Sequence, residues 1–554
     1  MGTSYNEVFL IDSSNAADQS SSLTGIAIGK SGILLGQAGL AEHVQRFGAV
    51  PKPDELTEGR FIYIHRDGAR LSIHVDPMGQ DAIFHYIDSD APRDGAKPFW
   101  AVSNSLYWLV QHVASKRKLY FYTPAIASHQ IGDGRGFGAQ LVSNSTPITG
   151  IGLAPMDRHV VIDLANGRLA LEKNSYNIYD DGTDSDYRQK IESFIASSAS
   201  NILSIIDSQQ YGRLICDVSG GHDSRFMFGL IHKLGLSSSV EYVTDAAKVD
   251  DLRIVNLLHR HYKFDLGYKI NRSSTFNTNE VYDTWLAASA GVYLPIKLPF
   301  GGQSSLLRVS GGNFLTKKFG ALPANERIRK FARFYKNKST YNSVCNEFDM
   351  SFEQIGTHRE DPFCMQKHYI NFRARLHYGR NWHSISRGQS YTPLISSKLC
   401  RAAFSLPPED YYASMPSLDV LAAIDNMLAV IPFDLDDKYF NSRMLERSPF
   451  WGDSIDFSKL DIRVKPVLGQ QAEQPENTEA NPKRGAVKEG FQLRLKEEFV
   501  RYLPEVKQAG LLESAYLEGA EKDAETLTGR PEKWRRVAHI VHLGRFMELG
   551  VQVS

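Results

Sequence analysis

The sequence predicts an α/β protein of more than one domain, on three observations. Its 554 residues are more than a single hydrophobic core usually holds. Residues 1–178 carry short alternating apolar segments broken by Gly, Pro and Asp, the patterning of β-structure. From Tyr187 onward strands alternate with helices, which implies right-handed crossovers and a parallel, doubly wound sheet. The expected division is therefore 1–178 and 186–554.

Within the first part, Phe61–His65, the turn Arg66-Asp67-Gly68-Ala69 and Leu71–Val75 read as a hairpin, with Phe84–Ile87 a further strand. His159–Asp163, the turn Ala165-Asn166-Gly167 and Leu169–Glu172 read as another. In the second part Ile191, Phe194, Ile195, Ser198, Ile202 and Ile205 share one face of a helix. Phe226, Leu230, Ile231 and Leu234 form the apolar face of the next, which stops at Gly235. Residues 240–244 are a strand and 251–262 a helix. Residues 465–488 hold several Gln, Glu and Asn with Pro466, Pro475 and Pro482, and too few apolar groups to pack, so a mobile polar loop is expected there. Trp534, Val537, Ile540, Val541, Leu543 and Phe546 predict a C-terminal helix docked on the body.

Composition narrows the function. Lys+Arg and Asp+Glu both number 63, so no net charge draws the chain to nucleic acid or to acidic membranes. The cysteines Cys216, Cys345, Cys364 and Cys400 show no Cys-x-x-Cys spacing, and Cys216 lies in an apolar strand as a buried thiol would. Neither a signal peptide nor a transmembrane run is seen, and a cytoplasmic setting is the expectation.

The most telling segment is Leu214-Ile215-Cys216-Asp217-Val218-Ser219-Gly220-Gly221-His222-Asp223-Ser224-Arg225. An apolar strand runs through Val218 into a Ser-Gly-Gly-x-Asp-Ser turn with a helix behind it. Glycine without a Cβ lets backbone amides reach an anion, and the helix points its positive end at the same place. Ser219 and Ser224 add hydroxyls, while Asp223 beside a phosphate implies a bridging Mg²⁺. Such a turn suits the pyrophosphate of ATP; an ordinary strand–turn–helix corner is the competing reading. In a parallel sheet ligands gather at the carboxyl ends of the strands, where 218–225 and Val243 fall.

So placed, the chain resembles the asparagine synthetase class B superfamily over nearly its whole length. Thr57-Glu58-Gly59-Arg60-Phe61, Asp76-Pro77-Met78-Gly79-Gln80, Gly150–Pro155 and Tyr391-Thr392-Pro393-Leu394-Ile395-Ser396 are similar to that family's segments. The resemblance implies an N-terminal Ntn-hydrolase-like αββα sandwich, then an ATP-pyrophosphatase (PP-loop) synthetase domain with a helical C-terminus. It also implies ATP and Mg²⁺ as cofactors. Three departures qualify it. The family's glutaminase uses an N-terminal cysteine, whereas Gly2, Thr3 and Ser4 stand here, so no glutamine hydrolysis is expected. Lasso-peptide cyclases and β-lactam synthetases share that loss and use an amine of their own substrate. The second motif reads Val309-Ser310-Gly311-Gly312-Asn313-Phe314: Ser310 and Gly311 can face the nucleotide through their backbone, but Asn313 offers the metal a neutral oxygen where a carboxylate is usual. Gln389 and Ser396 replace the family's Glu and Asp on the acceptor side.

Lys488 lies where these synthetases have a lysine after a mobile loop, able to neutralise pyrophosphate charge; Lys483 and Arg484 compete with it, as does a solvated lysine. Arg225 can reach a phosphate or sit on a helix surface. Tyr369, Arg373, His377 and Arg380 read as a polar helix face, and Asp245 and Asp251 as capping or surface carboxylates. Two functions follow. One is an AMP-forming amide ligase joining a carboxylate to an amine, in peptide macrocyclisation or other natural-product biosynthesis beside partner enzymes. The other is a catalytically impaired nucleotide-binding scaffold, motivated by Asn313, Gln389 and Ser396.

Overall fold

The computed structural model describes residues 8–88, 98–139, 141–180, 185–268, 274, 276–289, 298, 306–311, 323–375, 389–469, 483–526 and 534–553. The chain is a mixed α/β protein with antiparallel and parallel sheets. The N-terminal strands are β1 (Leu10–Asp12), β2 (Ser22–Gly29), β3 (Ile33–Leu35), β4 (Leu56–Asp67), β5 (Arg70–Val75), β6 (Phe84–Ile87), β7 (Trp100–Ser103), β8 (Ile151–Leu153), β9 (Arg158–Asp163) and β10 (Arg168–Lys173). They form two sheets, ordered β1-β7-β6-β8 and β10-β9-β5-β4-β2-β3, and every pair among them is antiparallel. Both sequence-predicted hairpins are present, as β4–β5 and β9–β10, while β6 joins the other sheet.

Alternation decides how the sheets stack. Ile62 and Ile64 of β4, with Ile73, Val160 and Ile162, point to the face that meets Ile11, Trp100 and Val102 of the other sheet. Phe61 and Tyr63 point the opposite way and bury Leu40 of helix α1 (Gly36–Phe47). On the far side, helix α2 (Leu106–Ala114) lays Leu109, Val110 and Val113 against Phe84 and Ala101. Two sheets thus lie between two helices. Each fully buried Leu, Ile or Val contributes roughly 1.5–3 kcal/mol.

Helix α3 (Thr123–Ser128) follows, and helix α4 (Tyr187–Asp207) then links the halves. Its predicted stripe Ile191, Phe194, Ile195, Ile202 and Ile205 is buried against Ile26, Ile28 and Leu35 of the antiparallel sheet and Phe226 beyond it. The third sheet is built from β11 (Arg213–Asp217), β12 (Glu241–Thr244), β13 (Leu266–Tyr268), β14 (Leu306–Val309) and β15 (Gln389–Tyr391). Its order is β13-β12-β11-β14-β15 and all pairs are parallel. Helices α5 (His222–Lys233) and α6 (Val249–Tyr262) carry the chain outward from β11 to β13. It then returns across β11, past helix α7 (Thr278–Ala288), to lay down β14 and β15 on the other side. The strand order therefore reverses between β11 and β14, where parallel sheets open a crevice at their carboxyl ends.

The polar loop expected over 465–488 is corrected at both ends. Val467–Leu468 form strand β16, which pairs parallel with β3 and becomes the seventh strand of that sheet. Lys465 Nζ donates to Asn201 Oδ1 (3.1 Å) and Gly469 N to Glu42 Oε2 (2.7 Å). Residues 484–488 are already helical, in Arg484–Gln508. Two apolar side chains, Val467 and Leu468, and an open sheet edge were enough to order a segment whose polarity argued otherwise. Residues 470–482 lie outside the described residues. Helix Arg484–Gln508 and helix Arg535–Glu548 pack with α2 and α7 around Trp285, Phe491 and Trp534. No helix among the described residues is long and apolar enough to cross a membrane.

Candidate functional site

The Ser219–Ser224 turn leaves the carboxyl end of β11 and enters α5, with Gly221 as its N-cap in extended conformation. Ser219 N donates to Ser224 Oγ (3.0 Å) and the two hydroxyls share a 2.8 Å hydrogen bond, so the serines close the loop on itself. Val218 N donates to Val243 O (2.9 Å), which ties the turn to the end of β12. The first amides of α5 have no acceptor within the helix and give this end its positive potential. Asp223, half-buried, stands in that first turn.

The second glycine turn meets the first at the strand-order reversal. Ser310 N donates to Tyr391 O (3.1 Å), fixing the exit of β14 against β15. Gly311 is buried so tightly on the backbone of Asp223 that a Cβ there would run into the Asp223 carbonyl. Gly311 and Asp223 are 88 positions apart in sequence and in contact in the fold. Below them Arg308 of β14 pairs with Asp217 of β11 at 2.6 Å, an ion pair that spans the seam. Asn313 lies outside the described residues.

The two neighbouring glycines have different surroundings. The Gly220 peptide is clamped on both sides: its N–H donates to Asp251 Oδ1 (2.8 Å) and its carbonyl accepts from Asp434 N (3.2 Å). Gly221 is less crowded, with Lys438 Nζ the nearest side-chain atom to where its Cβ would be, at 3.7 Å. Lys438 is paired with Asp434 at 2.7 Å and is about one-third exposed.

The expectation that Arg225 reaches a phosphate is corrected. Its side chain is fully buried and donates to the carbonyls of Leu428 (3.0 Å), Ile431 (2.6 Å) and Pro432 (2.6 Å), with its guanidinium 3.7 Å above the Phe433 ring. These carbonyls end the short helix Asn426–Val430, where a cation is favoured, and burial pushes the guanidinium down to about 9. His222 is likewise enclosed, between Phe433 and Phe440, and Nε2 donates to Lys438 O (2.9 Å). Burial holds its pKa at about 4, so the ring is neutral at pH 7. Arg225 and His222 together hang residues 428–440 over the turn, which is how Lys438 arrives there.

Lys488 lies on the C-terminal helical segment. It occupies the first turns of helix Arg484–Gln508, half-buried, with Nζ 5.9 Å from the Trp534 ring centroid. Lys483 and Arg484 are exposed at the start of that helix. Gln389 Oε1 accepts from Tyr211 OH (2.6 Å) and Ser396 Oγ caps the helix Ser397–Phe404 through Lys398 N (3.2 Å), so both serve the local structure. Tyr369 is buried rather than part of a solvated face; His377 and Arg380 lie outside the described residues. Asp251, Asp434 and Lys438 belong to no motif. Only tertiary folding brings them to the turn, and a single sequence carries no signal for them.

A scan against protein-family models and a search of curated proteins each returned no match.

Proposed function

We propose that the chain is an ATP-dependent carbon–nitrogen ligase, forming AMP and pyrophosphate, of the asparagine synthetase-like kind. The observation that carries this reading is the meeting of two glycine turns, 219–224 and 310–311, at the strand-order reversal of a parallel sheet. In this reading the α5 amides beyond Gly221, the Ser219 hydroxyl and the Lys438 ammonium hold the departing pyrophosphate. A substrate carboxylate oxygen bonds to the α-phosphorus as the bond to pyrophosphate breaks. The amine then bonds to the acyl carbon, AMP leaves, and the amine's proton passes to solvent. The protein's part is positioning and charge stabilisation.

The family's metal is Mg²⁺, which takes one or two carboxylates and completes its shell with phosphate oxygens and water. No cluster of three or more candidate ligands occurs among the described residues, and Asp223 at the turn fits this sparser demand. Bound there, Mg²⁺ would neutralise pyrophosphate charge. The layering of two sheets between two helices supports an Ntn-hydrolase-like N-terminal half. Substrates joined in peptide macrocyclisation or lactam closure are the preferred class, with both reacting groups supplied by the substrate.

The test is calorimetric titration with ATP and Mg²⁺, then pyrophosphate release with candidate amino-acid or peptide substrates. Wild type is expected to bind and Asp223→Ala to lose turnover. No binding at millimolar ATP would sink the proposal. Internal use of Gln389 and Ser396 favours a second reading, a nucleotide-binding scaffold, which predicts binding without pyrophosphate release.

A further inference from the structure

Resting on the ATP reading above, we infer that Asp251 is the second carboxylate toward the site's divalent cation. Position 313 carries a neutral asparagine, which leaves Asp223 as the only acidic residue that the two glycine motifs themselves supply. Asp251 enters from a third direction, the first turn of α6, which follows β12 on the side of β11 away from β14. Its Oδ1 sits 2.8 Å from Gly220 N, inside the turn itself. Its Oδ2 has a looser neighbour, Lys248 Nζ at 3.6 Å, on a side chain that is 64% exposed.

The chemistry of that placement is unusual for a turn meant for an anion. A carboxylate is not needed to orient the Gly220 peptide: an asparagine oxygen would accept the same hydrogen bond, and Asp434 N already holds the carbonyl. A full negative charge there repels an incoming triphosphate. The repulsion becomes attraction once a divalent cation lies between the two, ligated by Oδ2 and by phosphate oxygens, with Lys248 free to swing out. Asp251 would thus make nucleotide binding strictly dependent on the cation, and supply the charge that Asn313 does not.

The experiment is calorimetric titration of the full chain with α,β-methylene-ATP over a range of Mg²⁺, comparing wild type, Asp251→Asn, Asp251→Ala and Asp223→Asn. In parallel mixtures with Mn²⁺ in place of Mg²⁺, manganese paramagnetic resonance reads the free cation. Asp251→Asn keeps the acceptor for Gly220 N and loses only the charge, so its melting should match wild type. We expect it to need roughly tenfold more Mg²⁺ for half-saturation, or greater. Without divalent cation it should bind the analogue several-fold more tightly than wild type. If Asp251→Asn follows wild type in both respects, Asp251 merely positions the Gly220 peptide and the inference falls. If wild type itself does not bind the analogue with Mg²⁺ present, the ATP reading fails, and the inference with it.

Discussion

A methyl group on Gly220 would stand 2.5 Å from Asp434 Cβ and 3.1 Å from its amide, whereas one on Gly221 meets nothing nearer than 3.7 Å. Gly220→Ala must therefore push residues 432–440 off the turn, an overpacking cost of about 1–3 kcal/mol. Gly221→Ala meets no clash and loses only an N-cap preference, about 1 kcal/mol or less, so thermal melts should rank Gly220→Ala as the more damaging of the two. Lys438 provides the matching test of chemistry. Losing one charge-assisted contact to phosphate weakens binding by roughly 10–100-fold. Lys438→Ala is expected to do so in an ATP titration, and equal affinity to wild type would return the role to Lys488. The Ser219–Ser224 motif was legible because all its parts are local: the glycines, the hydroxyls and the helix start lie within six positions. Lys438 was not, since its place depends on Arg225, whose side chain read equally well as a surface group, and on the enclosure of His222 by distant aromatic rings.

At the scale of elements, the site depends on two pieces being held against α5. One is the exit of β14 at Gly311, the other the segment 428–440. Arg225→Ala would leave three carbonyls without their donor in a buried setting, and a loss of roughly 3 kcal/mol or more in chemical denaturation is expected. Arg225→Lys should recover little, because an ammonium cannot reproduce the planar fork or its stacking on Phe433. Periodicity predicted α4 and α5, since each buries a face that the apolar spacing marks. It failed at 465–469, where a partner strand more than four hundred positions away supplies the order. The same holds for Asp251: it has the look of a helix-start carboxylate, and only the neighbouring glycine turn reveals what it faces.

At the scale of the whole molecule, buried titratable groups set the response to acid. Burial lowers His85, His129, His222, His368 and His542 to about 4 and His74 to about 3, with His539 well below its ordinary value. Unfolded histidine titrates near 6.5, so between about pH 6.5 and 4 the unfolded chain binds more protons at these seven sites and stability falls as pH drops. Burial also raises Asp76 to about 7 and Asp419 to about 6, which works in the opposite sense over an overlapping range. Seven against two decides the sign. The urea midpoint should decline steadily from pH 7 to pH 4, and a midpoint that rises toward acid would contradict the neutral burial of these histidines.

Strand β16 has a consequence for the order in which the protein comes into being. It completes the edge of a sheet whose other strands all lie before residue 174, yet it is translated almost three hundred residues later. At about 5–20 residues per second, a nascent chain waits on the order of 15–60 s with β3 uncovered. Ile33, Leu34 and Leu35, all buried in the finished fold, border that exposed edge throughout the interval. Newly made chains are therefore open to strand-to-strand association with one another, and a holding chaperone bound during synthesis should raise the soluble yield far more than one supplied after release.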